Sequence, residues 1–211
     1  MLRFAIMEAA NVVLLSGGVD SVTLVHALAA GGVPIQALFL DYGQRGARLE
    51  RIAAEYHCEP QGVELVALDF SSVGEQFRNV QPRKANIPLP HRNLVALSLG
   101  LSFAANLGAR KLYLALTRED TLASPSASHT FLAQFRLLCG LLGDVQLATP
   151  FVDMSKAEVI RRGEKLGVDY AATYSCIVGQ PVHCGRCRQC IGRREAFREA
   201  SVDEPQDFYR V

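Results

Sequence analysis

Two stretches of this 211-residue chain carry residue types at spacings that do chemistry. The first is Leu15-Ser16-Gly17-Gly18-Val19-Asp20-Ser21, at the end of the apolar run Val12 to Leu15. A continuous apolar run suits a strand buried on both faces of a parallel sheet. Apolar positions then resume at helical spacing through Leu24, Val25 and Leu28 and stop at Gly31-Gly32. Strand, glycine turn and helix together present backbone N–H groups and the positive end of a helix dipole to an anion. The rival reading is an ordinary β–α turn with Asp20 or Ser21 as helix N-cap. An acid at an anion site makes sense if Mg²⁺ lies between it and the phosphates. The second stretch holds Cys176, Cys184, Cys187 and Cys190. C-x7-C-x2-C-x2-C can close a tetrahedral Zn²⁺ site. A redox C-x-x-C pair and an iron–sulfur cluster are the rivals. Gly185, Gly179 and Pro181 shape the loop, and Arg186, Arg188, Arg193 and Arg194 are expected to offset a tetrathiolate charge.

The elements that position these stretches follow from periodicity. Ile35 to Asp41 reads as a second buried strand, with Asp41-Tyr42-Gly43-Gln44-Arg45 at its C-terminal end, where open α/β sheets bind ligands. A helix from Ala47 to Tyr56 carries Glu50 and Arg51 on its polar side. Val63 to Asp69 is a third strand, followed by a loop and short helix. Gln81 to Pro90 holds three of the nine prolines and reads as extended, a connector or a lid. A long apolar helix follows His91-Arg92-Asn93, with Asn93 as expected N-cap and Gly108 as stop. Leu112 to Thr117 is a fourth strand, Arg118 to Ser128 a polar loop, Thr130 to Leu142 a helix and Gln146 to Pro150 a fifth strand. Ser155 and Glu158 then form a capping box before a helix that ends near Gly167. The alternation predicts an α/β fold, a doubly wound five-stranded parallel sheet, with a C-terminal zinc-binding segment. Residues 1–170 are expected to form the α/β domain that carries the anion-binding turn, and 171–211 the zinc-binding segment and a short terminal helix.

Composition bounds the partners. Net charge is +1, which supplies no bulk attraction to nucleic acid or an acidic membrane. The stretch from Met1 to Asn11 carries Glu8 and lacks a signal-peptide core, and Leu94 to Ala105 is too short to span a bilayer. A cytoplasmic protein is expected, and Cys58 and Cys139 read as packing residues.

The loop lacks the lysine of the common phosphate loop. Ser16-Gly17-Gly18-Val19-Asp20-Ser21 instead resembles the PP-loop of ATP pyrophosphatases, which cut ATP between the α- and β-phosphates. With Asp41-Tyr42-Gly43-Gln44-Arg45, Arg92-Asn93, Lys156-Ala157-Glu158, Thr173-Tyr174-Ser175-Cys176 and Cys184-Gly185-Arg186-Cys187-Arg188-Gln189-Cys190, nearly the whole chain resembles the 7-cyano-7-deazaguanine synthase (QueC) family. The resemblance implies an adenine nucleotide α-hydrolase-like fold and a ligase that adenylates 7-carboxy-7-deazaguanine and turns it into a nitrile with ammonia. It implies ATP, Mg²⁺ and Zn²⁺ as cofactors, small-molecule substrates and a homodimer. Leu15 to Ser21 would hold the nucleotide and Asp20 the metal. Arg92 and Lys156 would counter charge, with Asp41 and Arg45 near the reacting centre.

Two departures stand out. His91 stands where the family has glycine before Arg-Asn. Thr121 to Ala127 replaces a Ser-Gly-Tyr-Pro-Asp-Cys-like segment, and the family's aspartate, expected to read the N–H edge of the base, becomes Ser126. Losing a partner for a buried polar edge costs on the order of 1–3 kcal/mol. A paralogous ligase that joins such an acid to another amine, on a small molecule or a protein, and stops at the amide is therefore the alternative. A non-catalytic zinc-bearing binding module is a second. A sulfur-transfer enzyme would need a reactive cysteine in the cleft.

Overall fold

The structure is a computed structural model and describes residues 11–80, 89–205 and 207–210. The proline-rich segment expected to be extended lies largely outside the described residues. Five parallel strands form one sheet in the order β3-β2-β1-β4-β5. They are β1 (Asn11–Leu14), β2 (Ile35–Asp41), β3 (Leu65–Asp69), β4 (Lys111–Tyr113) and β5 (Gln146–Ala148). The predicted five-stranded parallel sheet is therefore present. Its direction of growth reverses beside β1, between β1 and β4, which is where such sheets bind ligands.

The period of two along the strands divides the core into two layers. Val13, Leu15, Ala37 and Phe39 face α1 (Val19–Ala30), α2 (Ala47–Cys58), α7 (Lys156–Lys165) and α8 (Arg188–Ala200). Val12, Leu14, Leu38 and Leu112 face α4 (Arg92–Asn106) and α6 (His129–Leu142). Ala196, Phe197 and Ala200 of α8 share the core of β1 and α1, so the C-terminal segment is packed into the α/β body. Cys58 and Cys139 are buried in these two cores, as expected of packing residues.

Two local expectations change. Asn93 is not the N-cap of α4. His91 is, in a left-handed conformation (φ 52°) that frees the Asn93 amide to donate to the carbonyl of Ser126 at 3.2 Å. That backbone costs a non-glycine residue about 1–2 kcal/mol. The polar stretch after β4 is not a loop but α5 (Arg118–Ala123) and a 3₁₀ turn, Pro125–Ala127. Asp120 starts α5 by accepting from the N–H and hydroxyl of Thr117, both at 2.9 Å. The T-x-x-D pattern was a readable capping signal. Between β3 and α4 lies α3 (Ser71–Val80). Among the described residues no helix is long and apolar enough to cross a membrane.

Candidate active site and metal centre

The turn after β1 is shaped by contacts a side chain would not allow. Gly17 has φ +73°, and a Cβ there would lie 2.1 Å from the Glu50 carbonyl oxygen of α2. The two serines close the turn on themselves. Ser21 Oγ accepts from the Ser16 N–H at 3.2 Å, lies 3.1 Å from Ser16 Oγ and donates to the Gly18 carbonyl at 3.1 Å. Gly18 is the N-cap of α1, and no side chain caps that end. The N-cap role weighed for Asp20 and Ser21 therefore falls to a glycine. The first-turn N–H groups of a 12-residue helix stay open to an anion.

Asp20 and Lys156, at the starts of α1 and α7, meet as an ion pair across 136 residues of sequence. Burial pushes the Asp20 carboxyl up from its usual range, and Lys156 pulls it back. Burial alone would lower Lys156, but Asp20, Asp120 and Glu119 outweigh it and hold the ammonium above its usual range. Glu119 also accepts from the Lys156 N–H at 3.1 Å. Among the described residues, Asp20 Oδ1 is buried with no hydrogen-bond partner. An acceptor-only oxygen left open beside an anion-binding helix end fits a divalent cation.

The Asp41–Arg45 turn ends β2. Asp41 Oδ1 accepts from the Gly43 N–H at 2.8 Å, and Gln44 reaches Glu50 at 2.9 Å. Arg92 donates to the Tyr42 hydroxyl at 2.9 Å and lies over its ring. Arg78 of α3 donates to the Gly43 carbonyl at 2.6 Å. Arg45 is exposed and makes no side-chain hydrogen bond among the described residues. Glu50, assigned by periodicity to the polar side of α2, is half-buried against this turn, and burial raises its carboxyl. Tyr42 was named only within its motif, and Glu50, Asp120 and Arg78 were not singled out. Their roles arise from contacts between segments far apart in sequence. Ser126 is buried, 3.2 Å from Ser124 Oγ, and brings no charge to the cleft.

The four cysteines come together. Their sulfurs all lie within 4.8 Å of one another. A tetrahedron of ~2.3 Å Zn–S bonds spaces sulfurs about 3.8 Å apart, so the set needs only slight closing to hold zinc. Backbone N–H groups point at the sulfurs: Cys184 to Cys176 at 3.4 Å, Cys187 to Cys184 at 3.3 Å and Cys190 to Cys187 at 3.4 Å. Burial alone would raise Cys184, but the Arg186 and Cys187 amides hold it down to about 7. Burial raises the thiols of Cys176 and Cys190, so their thiolates need a cation to share the charge. Arg186 and Arg188 are exposed, whereas Arg193 is buried and paired with Glu204 at 2.6 Å.

An open glycine turn after β1, an Asp–Lys pair at its rim and the β3-β2-β1-β4-β5 order define the class: a PP-loop-like α/β fold. An NMN synthetase from Francisella tularensis shares the fold over 94% of this chain and 80% of its own, with TM-score 0.57 at 15% identity. An NH3-dependent NAD synthetase from Campylobacter jejuni does so over 77% and 66%, with TM-score 0.52 at 16% identity.

The chain belongs to the QueC family, whose model, described as queuosine biosynthesis protein QueC, matches residues 10–201. It is 32% identical to 7-cyano-7-deazaguanine synthase 1 of Sulfurisphaera tokodaii over 94% of this chain and 97% of that protein. It is 34% identical to the 7-cyano-7-deazaguanine synthase of Methanothermobacter thermautotrophicus over 92% and 97%.

Proposed function

We propose that this chain is a 7-cyano-7-deazaguanine synthase, an ATP-dependent carbon–nitrogen ligase. The observation that carries the reading is the near full-length family match on a fold whose PP-loop is open. A carboxylate oxygen of 7-carboxy-7-deazaguanine attacks the α-phosphorus of ATP and pyrophosphate leaves. Ammonia attacks the acyl carbon and AMP leaves, giving the amide. Activation of the amide oxygen by a second ATP, then loss of AMP, gives the nitrile.

The residues divide this work by position. The Ser16–Ser21 turn and the α1 amides are aimed at departing pyrophosphate, where fixed dipoles lower the barrier most. Asp20 would hold Mg²⁺, which would screen phosphate charge, with Lys156 beside it. Arg92, fixed by Tyr42, would face the carboxylate. Asp41 shapes the turn that carries Arg45, and both would lie near the reacting centre. The cysteine cluster would hold Zn²⁺ as a structural ion, and its reduced thiols suit a cytoplasmic protein. A homodimer fits the exposed Leu137, Leu138, Leu141 and Leu142 of α6, between 41% and 83% accessible, since so large an apolar patch on one helix marks a contact surface. Leu141→Glu should then give a monomer by size-exclusion chromatography with light scattering, and an unchanged dimer would sink that assignment.

A second reading has its own observation. The acids after β4 are committed, Glu119 to Lys156 and Asp120 to Thr117, and Ser126 offers no carboxylate to a base edge. A ligase that stops at an amide fits that cleft. Purified protein with Mg²⁺, ATP, 7-carboxy-7-deazaguanine and ammonium separates the two. Acid-dependent AMP and pyrophosphate with nitrile support the first reading. Accumulating amide supports the second. Absence of acid-dependent AMP would overturn both.

A further inference from the structure

One residue touches three parts of the molecule that the site needs in register. Tyr174 is buried at 6% exposure on the segment leading into the cysteine loop. Its backbone N–H donates to the Gly17 carbonyl of the phosphate turn at 2.9 Å. Its ring lies against Gly46, the N-cap of α2 that ends the Asp41–Arg45 turn, so closely that a Cβ there would sit 2.9 Å from Cε1. Its hydroxyl donates to the Gln180 carbonyl, inside the loop between Cys176 and Cys184, at 2.8 Å. That loop makes a second contact with the same turn, since a Cβ on Gly179 would lie 2.3 Å from the Arg45 carbonyl oxygen. The segment is held from behind. Ser175 N–H donates to His183 Nε2 at 3.0 Å, and Arg193 donates to the Thr173 and Ser175 hydroxyls at 2.8 and 3.2 Å.

We propose that Tyr174 is a positioning residue that passes the closure of the four-cysteine loop to the phosphate turn. A preorganised anion site works only while its N–H groups are held in place before the ligand arrives. The Gly17 carbonyl is the far side of the peptide that begins the open helix end. Fixing it from Tyr174 fixes the direction of the Gly18 N–H. The cysteine loop cannot open without moving Gln180, and Gln180 carries the Tyr174 hydroxyl. The four-cysteine site then does more than tether the C-terminus. It keeps the nucleotide turn and the Asp41–Arg45 turn in register with each other.

This inference rests on reading Ser16–Ser21 as the nucleotide turn. Wild-type binding of α,β-methylene-ATP, which cannot be cleaved at the reacting bond, tests that reading by itself. Its absence would count against the reading and leave the coupling to be judged by exchange. The coupling is tested first by titrating zinc-loaded Tyr174→Ala and Tyr174→Phe with the same analogue by calorimetry. At one zinc per chain, Tyr174→Ala should bind at least tenfold more weakly, and Tyr174→Phe, which keeps the ring on Gly46 but loses the bond to Gln180, should fall between that variant and wild type. Wild-type affinity in zinc-replete Tyr174→Ala would overturn the proposal. Hydrogen exchange on the unsubstituted protein gives a test without nucleotide, which holds even where the alanine variant does not fold. Stripping zinc should raise exchange at residues 16–21 and 41–46 together with 173–187, while β4 and β5 keep their protection. Exchange that rises only within 173–210 would overturn it.

Discussion

The two sides of the cleft are built by opposite means. The nucleotide side is contiguous, with Ser16 to Ser21 supplying backbone N–H groups, a helix end and an acid from six successive residues. The side proposed to bind the acid is assembled from Tyr42, Arg92, Asn93 and Ser126, brought together from the end of β2, the start of α4 and the 3₁₀ turn after α5. Where backbone does the work, glycine and local geometry are indispensable and side chains interchangeable. Where side chains do the work, each has a local substitute, and specificity can drift while the fold stands. His91 illustrates the latter. It holds a left-handed backbone (φ 52°) beside Arg92 and offers an imidazole there.

Substitutions should break that contrast or sharpen it, in decreasing order of effect. Gly17→Ala should be worst. A Cβ 2.1 Å from backbone that cannot withdraw, at φ +73°, should cost several kcal/mol, on the order of 3 or more, in stability and abolish analogue binding. Thermal melting and calorimetry would read it, and a fully active alanine variant would refute the geometry. Asp20→Asn leaves the shape and removes the charge opposite Lys156. A loss of about 10²–10³ in AMP formation is expected at saturating ATP, on the scale of one preorganised electrostatic group. A loss under tenfold would remove Asp20 from the metal role.

The third prediction concerns the nucleotide side's support. His26 and His57, buried between α1 and α2, lie 3.2 Å apart through Nε2 and Nδ1, and His57 Nε2 has no partner. Burial holds His57 down at about 4. The unfolded chain takes up that proton near 6.5, the folded one only near 4. Stability should therefore be full above about pH 6.5 and fall between pH 6.5 and 4, by on the order of 3 kcal/mol. Urea melts across that range, beside His57→Gln, would show it, and identical pH dependence in the two proteins would contradict it. Smallest is the acid side. Arg92→Ala should raise KM for the acid about tenfold, and Tyr42→Phe by a few-fold, with KM for ATP nearly unchanged. Equal changes in both KM values would mean that the two sides are not separable.

The contrast also explains what was legible in the sequence. The strand–turn–helix around Gly17-Gly18, the Ser155–Glu158 box and the cysteine spacing are local, and each stands in the structure as read. The five-stranded parallel sheet follows from alternation, whereas its β3-β2-β1-β4-β5 order does not. Glu50 was misplaced because helical periodicity sees only the α2 axis, and a turn arriving from β2 buries its polar side. Asn93 is not the cap because α4 already begins at Arg92, and its amide instead donates to the Ser126 carbonyl 33 residues on. The Tyr174 contacts to Gly17 and Gly46 join segments over 100 residues apart and leave no pattern in either.

The account's central claim is the reaction. Purified protein given ¹⁵N-ammonium, Mg²⁺, ATP and 7-carboxy-7-deazaguanine should yield a nitrile that carries one ¹⁵N by mass spectrometry, with AMP released in step. AMP release with labelled amide as the lasting product, or no labelled product at all, would contradict it.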